Sequence, residues 1–190
     1  MRHILFITKR PGGPRPWESA GFRTAEEWQI WTPHICGVCC LKMLADTFTS
    51  TRTSLAGLTG RCIELGGFRH EGNGSIKGVF HRPLLQLAME LGFDGVVEGH
   101  LTSEVLKHAL DAGKLAVLSI DLARVRPELS GGHLLLVHSY DTASKEFSMH
   151  DCSEVLSIPG ASVRLGEATL ARISNRKGLV LWPRSLGRKE

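Results

Sequence analysis

Tyrosine occurs once in this chain of 190 residues, and all aromatic residues together make up 6%. Neither small basic cluster, Lys9, Arg10 and Arg15 or Arg184, Arg188 and Lys189, is interleaved with aromatics. The stacking platforms that single-stranded nucleic acid requires are therefore missing. A net charge of +4, from 23 basic and 19 acidic residues, is too slight a bias to suggest a nucleic-acid footprint. Long apolar runs are missing too. None exceeds a handful of residues, against the roughly 20 of a membrane helix, so no membrane insertion is expected. The opening apolar stretch Ile4-Leu5-Phe6-Ile7 is too short for a secretory signal and runs into charge and proline. A cytoplasmic chain is the expectation.

A disulfide framework would need an even cysteine count and an oxidising compartment, and this chain has five cysteines. Cys36-Gly37-Val38-Cys39 is formally a C-x-x-C, but no second pair and no nearby histidine pair completes a structural zinc site. No metal and no cofactor is expected. A thioredoxin-like redox role stays open, although no strand precedes Cys36 as that motif requires.

Apolar residues at 42% and charged ones at 22% match a globular chain. The length matches one domain, burying roughly 70% of its unfolded surface without a staple. We expect a single domain over residues 1–190, with its core at about 24–183, a Gly/Pro-rich loop at 9–23 and a basic tail at 184–190. Residues 2–7 read as a short strand. Thr24 and Glu27 fit a capping box, and Pro33 breaks the chain before Cys36. Val38, Leu41, Leu44, Ala45 and Phe48 recur at helical spacing and predict an amphipathic helix over 36–48. Residues 65–80, with five glycines, read as an irregular connection. Pro83 at a first helical position and Gly92 beyond the end bracket a second helix. A third runs from Thr102 to Gly113. Strands are expected at 115–120, 133–140, 146–151, 163–165 and 178–182, with a short helix at 168–173. Helices first and an antiparallel sheet afterwards is an α+β order.

Cys36 opens its helix, where the positive end of the helix dipole favours a thiolate. An inert buried thiol is the competing reading, so the partners matter. A catalytic thiol needs a histidine base and a group to orient it. Among nine histidines, His133 follows Gly131-Gly132 and opens a strand, which puts it at a sheet rim. A hairpin joining 133–140 to 146–151 brings Asp151 near it. Folding about residue 142 sets the two directly opposite; folding about residue 143 makes them diagonal. In both cases they share a face, with Cβ atoms roughly 5–8 Å apart. A half-integral centre would flip Asp151 to the other face. His138 and His150 are expected on that other face. Gln29 could offer its amide to an oxyanion beside the Cys36 N–H.

Gln29 followed by Cys36-Gly37-Val38-Cys39-Cys40-Leu41-Lys42-Met43 resembles the glutamine and C-G-x-x-x-L-x-M helix of papain-like cysteine peptidases of the bacteriocin-processing type. Those enzymes cleave leader peptides after a double glycine. The stretch Gly132-His133 to Tyr140-Asp141 is similar to that family's G-H-(apolar run)-G-Y-D strand, and Asp151 falls on the aspartate of its D-P pair. The likeness spans roughly residues 28–182. Cys152 replaces the proline, Ser139 a glycine, and Cys39 and Cys40 small residues of the helix. The resemblance implies a free-standing papain-like member acting through a thioester. Cys36 would be nucleophile, His133 base and acid, Asp151 the orienting group and Gln29 part of the oxyanion hole. With water as acceptor it would be a peptidase or amidase on a peptide or amide substrate; with an amine, an acyltransferase of a natural-product pathway. A catalytically silent peptide-binding module and a thiol–disulfide protein using Cys36 and Cys39 are the other readings. None of these motifs bears on oligomeric state.

Overall fold

The computed structural model describes residues 3–50 and 52–184. In chain order come α1 (Pro16–Ala20), α2 (Ala25–Trp31), α3 (Cys36–Phe48), α4 (Leu55–Glu64), β1 (Phe68–His70), β2 (Ile76–Gly78), α5 (His81–Glu90) and β3 (Phe93–Glu98). There follow α6 (Ser103–Asp111), β4 (Leu115–Asp121), α7 (Leu122–Val125), β5 (Gly132–Asp141), β6 (Glu146–His150), β7 (Val163–Gly166), α8 (Glu167–Ile173) and β8 (Ser174–Pro183). β1 and β2 form a small hairpin, and the other six strands form one antiparallel sheet in the order β3-β8-β4-β5-β6-β7. The class is α+β.

Strand alternation divides the core between the two faces of this sheet. Leu115, Val117, Leu134, Leu136, Leu179 and Leu181 pack with α3, α4 and α5. Ala116, Leu118, Ile120, Leu135, Val137 and Val180 pack with α6 and α8. Helix α3 is more central than its periodicity suggests. Every residue from Cys36 to Ala45 except Lys42 is buried, because Cys39, Cys40 and Met43 fill the face that polar residues would otherwise take. Lys42 instead pairs with Asp46 one turn on, at 2.5 Å.

Gly37 is where this burial is tightest. A Cβ there would stand 2.6 Å from Val79, 2.7 Å from Leu134 and 2.8 Å from Leu84. Gly37→Ala is expected to cost about 1–3 kcal/mol through overpacking, read as a lowered urea midpoint with an unchanged slope. A wild-type midpoint would show that these three side chains yield freely.

Several sequence expectations need correcting. Residues 3–7 form no strand; they lie as an irregular strap, with the Leu5 N–H on Thr47 Oγ1 at 3.0 Å and Ile4 buried. The segment 9–23 is not wholly loop, since Pro16 starts α1 as an N-terminal proline can, and Gly21 ends it at φ 83°. The core also begins before residue 24, because Ile4, Ala20 and Phe22 join it. At the other end Arg184 is tied to Asp94 at 3.2 Å; the remainder of the expected basic tail, 185–190, lies outside the described residues. Pro83 is the third residue of α5, not the first, and is tolerated there because the first-turn N–H groups have no intrahelical acceptor. Residues 65–80 contain the β1–β2 hairpin. Helix α4 and edge strand β3 were unforeseen: Gly57 and Gly60 interrupt the first, Gly95 the second.

The hairpin of β5 and β6 positions the site by an unexpected route. Its turn pairs Asp141 with Glu146, Tyr140 with Phe147 and Ser139 with Ser148. That is the half-integral centre that would place Asp151 on the wrong face. A register shift at His138 then intervenes, so that Val137 pairs with Met149 and Leu136 with His150. The extra residue moves the effective centre to 143. His133 and Asp151 return to one face as diagonal neighbours.

Candidate active site

The approach to Cys36 is set by a short turn. The Thr32 hydroxyl donates to the Trp28 carbonyl, the His34 N–H donates to that of Trp31, and Pro33 cannot continue α2. Ile35, wholly buried, anchors the turn and serves as N-cap without a side-chain hydrogen bond. Cys36 is therefore the first residue of α3, at the positive end of a 13-residue helix.

His133 enters from the start of β5, where Gly131 takes φ 89° and its carbonyl accepts from the Leu122 N–H. Its Nε2 lies 2.8 Å from Asp151 Oδ1. A carboxylate only accepts, so Nε2 carries the proton and Nδ1 is the nitrogen left for the thiol. Asp151 is held just past β6. Its Oδ1 also accepts from the Ser153 N–H at 2.9 Å and its Oδ2 from the Leu156 N–H at 2.9 Å, while its own N–H donates to the Gly160 carbonyl at 2.8 Å. Asp151 is fully buried and His133 is 4% exposed.

Electrostatics separate Cys36 from the other cysteines. Burial opposes its thiolate, but the hydrogen bond and charge of His133, followed by the charge of Lys9, outweigh it and lower the thiol below its ordinary value. His133 is raised: burial disfavours its charge, yet Asp151 and then Cys36 favour it more strongly. Asp151 is held low, because the His133 hydrogen bond and charge and two backbone N–H groups overcome its burial. Burial pushes Cys62 up to about 12 and raises Cys40 well above its usual range. Cys152 is also raised, first by its hydrogen bond with Cys39 and then by burial. Its Sγ lies 3.8 Å from the Cys36 carbonyl oxygen. All five cysteines are free thiols.

The structure thus brings Cys36, His133 and Asp151 together. Among the described residues no hydrogen bond ties Gln29 to them: it is exposed on α2 and lines a cavity of about 230 Å³ with Arg10, Trp28, Thr32 and Pro33. The rings of His138 and His150 meet each other at a tilt of 47°, their centroids 4.6 Å apart. A larger cavity of about 530 Å³ lies between α6 and α8, lined by Leu101, Glu104, Leu170 and Arg176 among others. It holds no cysteine or histidine and has no part in this chemistry. The sequence reading missed Lys9, which it placed in an exposed loop. Lys9 is 7% exposed, its N–H bonded to the Cys152 carbonyl at 3.1 Å; no local pattern marks it, since the contact spans most of the chain.

No protein-family model matches the chain, and no curated protein matches it in sequence. Solved structures do. A putative C39-like peptidase from Bacillus anthracis is 16% identical, with 96% of each chain covered and a TM-score of 0.61. The peptidase domain of Streptococcus ComA, a bifunctional ABC transporter of a quorum-sensing pathway, is 14% identical over 80% of this chain and 93% of that one, with a TM-score of 0.56. A double-glycine motif protease from an AMS/PCAT transporter, in complex with its leader peptide, is 12% identical over 78% and 84%, with a TM-score of 0.51. At these identities the likeness is one of architecture: the chain has the papain-like fold of C39-like peptidase domains.

Proposed function

We propose that this protein is a cysteine peptidase or amidase in which Cys36, His133 and Asp151 act as nucleophile, base and orienting group. The observation that carries this reading is the buried 2.8 Å pair of His133 Nε2 and Asp151 Oδ1, whose imidazole lowers a thiol at a helix amino terminus. The peptidase domains that share the fold, one of them holding a leader peptide, support a peptide as substrate.

The thiolate of Cys36 attacks the amide carbonyl carbon, a C–S bond forms, and the carbonyl electron pair moves to oxygen. The Cys36 N–H and the Gln29 amide stabilise that oxyanion. Imidazolium His133 gives its Nδ1 proton to the leaving nitrogen as the C–N bond breaks, leaving a thioester and an amine. Neutral His133 then takes a proton from water as it attacks the thioester; the acid leaves and the thiolate–imidazolium pair is restored. Throughout, Asp151 holds Nε2 and with it the ring.

His133, raised to about 10 by Asp151 and Cys36 against its burial, stays protonated at neutral pH, and beside it the Cys36 thiolate forms below the ordinary cysteine range. Iodoacetamide at pH 7, followed by peptide mass mapping, should label Cys36 selectively and fast. The rate should decline only as acid protonates the thiolate below the ordinary cysteine range. If Cys36 reacts no faster than Cys62 or Cys152, the catalytic reading is lost and a silent peptide-binding module takes its place.

A further inference from the structure

We propose that His150 is a positioning residue of this site: its neutral imidazole ties the amino-terminal strap to the segment 151–162 and thereby holds Asp151 for His133. The inference rests on the cysteine-enzyme reading above and deepens it. His150 ends β6 directly before Asp151 and is 2% exposed. Its Nε2 lies 3.0 Å from the Ile4 carbonyl oxygen, and its Nδ1 lies 3.0 Å from the Ser162 nitrogen. A carbonyl only accepts and an amide N–H only donates, so Nε2 carries the proton and Nδ1 is bare. Both ring nitrogens are used, and both neighbours fix the same neutral tautomer.

The two bonds reach the segments that surround the catalytic carboxylate. Ser162 closes the segment whose Ser153 and Leu156 N–H groups each donate to Asp151 at 2.9 Å. The Gly160 carbonyl of the same segment accepts the Asp151 N–H at 2.8 Å. Ile4 belongs to the strap, in which the Thr8 hydroxyl and the Lys9 N–H donate to the Cys152 carbonyl at 3.3 and 3.1 Å. Phe6 of the strap meets the imidazole edge-on, with centroids 5.5 Å apart. A second ring proton would set Nδ1 against the Ser162 N–H, donor against donor, in a buried place. The titratable groups facing the ring are His138 of β5 and His3 of the strap, neither of which favours a cation. The Asp151 carboxylate is engaged with His133, and segment 151–162 offers the ring the Ser162 N–H. Burial, opposed by the Ile4 carbonyl and aided by the His3 charge, accordingly holds His150 below its ordinary value.

The test joins two measurements on the full chain. The first is hydrogen exchange read by mass spectrometry and corrected for the intrinsic effect of pH. Opening lets His150 take up a proton at its ordinary 6.5. Wild-type peptides covering 3–9 and 152–162 should therefore lose up to about 10-fold in protection from pH 7.5 to 5.5. His150→Gln keeps an amide for Ile4 but offers Ser162 nothing; His150→Asn puts an oxygen in place of Nδ1. In both variants the pH dependence should vanish. The second measurement is the acid midpoint of Cys36 alkylation by iodoacetamide. His150→Gln should raise it by about one pH unit, a roughly 10-fold slower reaction on the acid limb, as Asp151 loses its hold on His133. His150→Asn should return it close to the wild-type value. A folded His150→Gln with an unmoved midpoint overturns the role of His150, even where its melting temperature falls. Should that variant not fold, exchange decides: equal wild-type protection at the two pH values, or a dependence that persists in His150→Asn, overturns the inference. A wild-type Cys36 that alkylates no faster than Cys62 at pH 7.5 overturns the cysteine-enzyme reading. Exchange that still follows pH then tells that failure from a failure of the His150 contacts.

Discussion

Cys36→Ala is expected to lower amide hydrolysis by about 10³-fold or more, with the fold unchanged. The variant keeps the His133–Asp151 pair and the helix end but has no atom to carry the acyl group. Its structural cost is small: one sulfur is removed from a residue at the edge of the core, 7% exposed. The measurement is amine release from a peptide library, read beside circular dichroism and the melting temperature. Cys39→Ala is the informative control. Cys39 is wholly buried and faces Cys152, so its loss should reduce stability while leaving turnover within a few-fold of wild type, about the effect of a modest packing change. Should Cys36→Ala retain turnover, the nucleophile lies elsewhere. Should both substitutions abolish it, the thiol–disulfide reading would gain the ground.

Replacement of Asp151 should have the next largest effect, with alanine and asparagine differing in an instructive way. Alanine leaves a buried imidazole without a partner and strands the N–H groups of Ser153 and Leu156. Breaking such a buried pair costs about 3–5 kcal/mol, and activity should fall by at least about 10²-fold as the ring loses its orientation. Asparagine can keep its oxygen toward His133 and Ser153, but its NH2 then meets the Leu156 N–H, donor against donor. An intermediate loss is therefore expected, in turnover and in urea midpoint alike. Equal losses for the two variants would show that the carboxylate's charge matters and its hydrogen-bond geometry does not.

The stability effect has a pH window. Asp151 is lowered from 3.8 on folding, burial being overcome chiefly by His133, so its contribution is full above that value and fades as pH falls through the lower folded value. His133 is raised from 6.5 to about 10, Asp151 prevailing over burial, so its contribution is full below 6.5 and is lost as pH climbs toward 10. The penalty for Asp151→Ala should thus be greatest between about pH 4 and 6.5, measured as urea midpoints across pH.

How much of this was legible beforehand differs from residue to residue. Helix α3 could be read because apolar spacing survives in sequence, and Cys36 stood at its start by position alone. Helix α4 buries Leu55, Leu58, Thr59 and Cys62, a full helical stripe, yet Gly57, Gly60 and a threonine within the stripe conceal it. Strand β3 is an edge strand whose Gly95 abuts Leu181 and the Val180 carbonyl; it is specified by what it packs against, and its own pattern is mute. Gln29 could be named from its place seven residues before Cys36 and from the resemblance, and the fold leaves it lining a small cavity.

Local order determined a good deal: the helices that carry periodic stripes, the strands of 115–120 and 133–140, and the cysteine at a helix end. Those features depend on neighbours within a few residues, and such neighbours are visible in a sequence. The meeting of His133 with Asp151 was decided elsewhere. The turn alone would have set Asp151 on the wrong face, and one extra residue at His138 reversed it, because strand faces alternate with period two and a bulge shifts that parity. Lys9 meets Cys152 only because the strap runs back to the end of β6, a contact between residues 143 positions apart. Parity and long-range closure are properties of the folded chain, and they assembled the site from parts that the sequence could name singly.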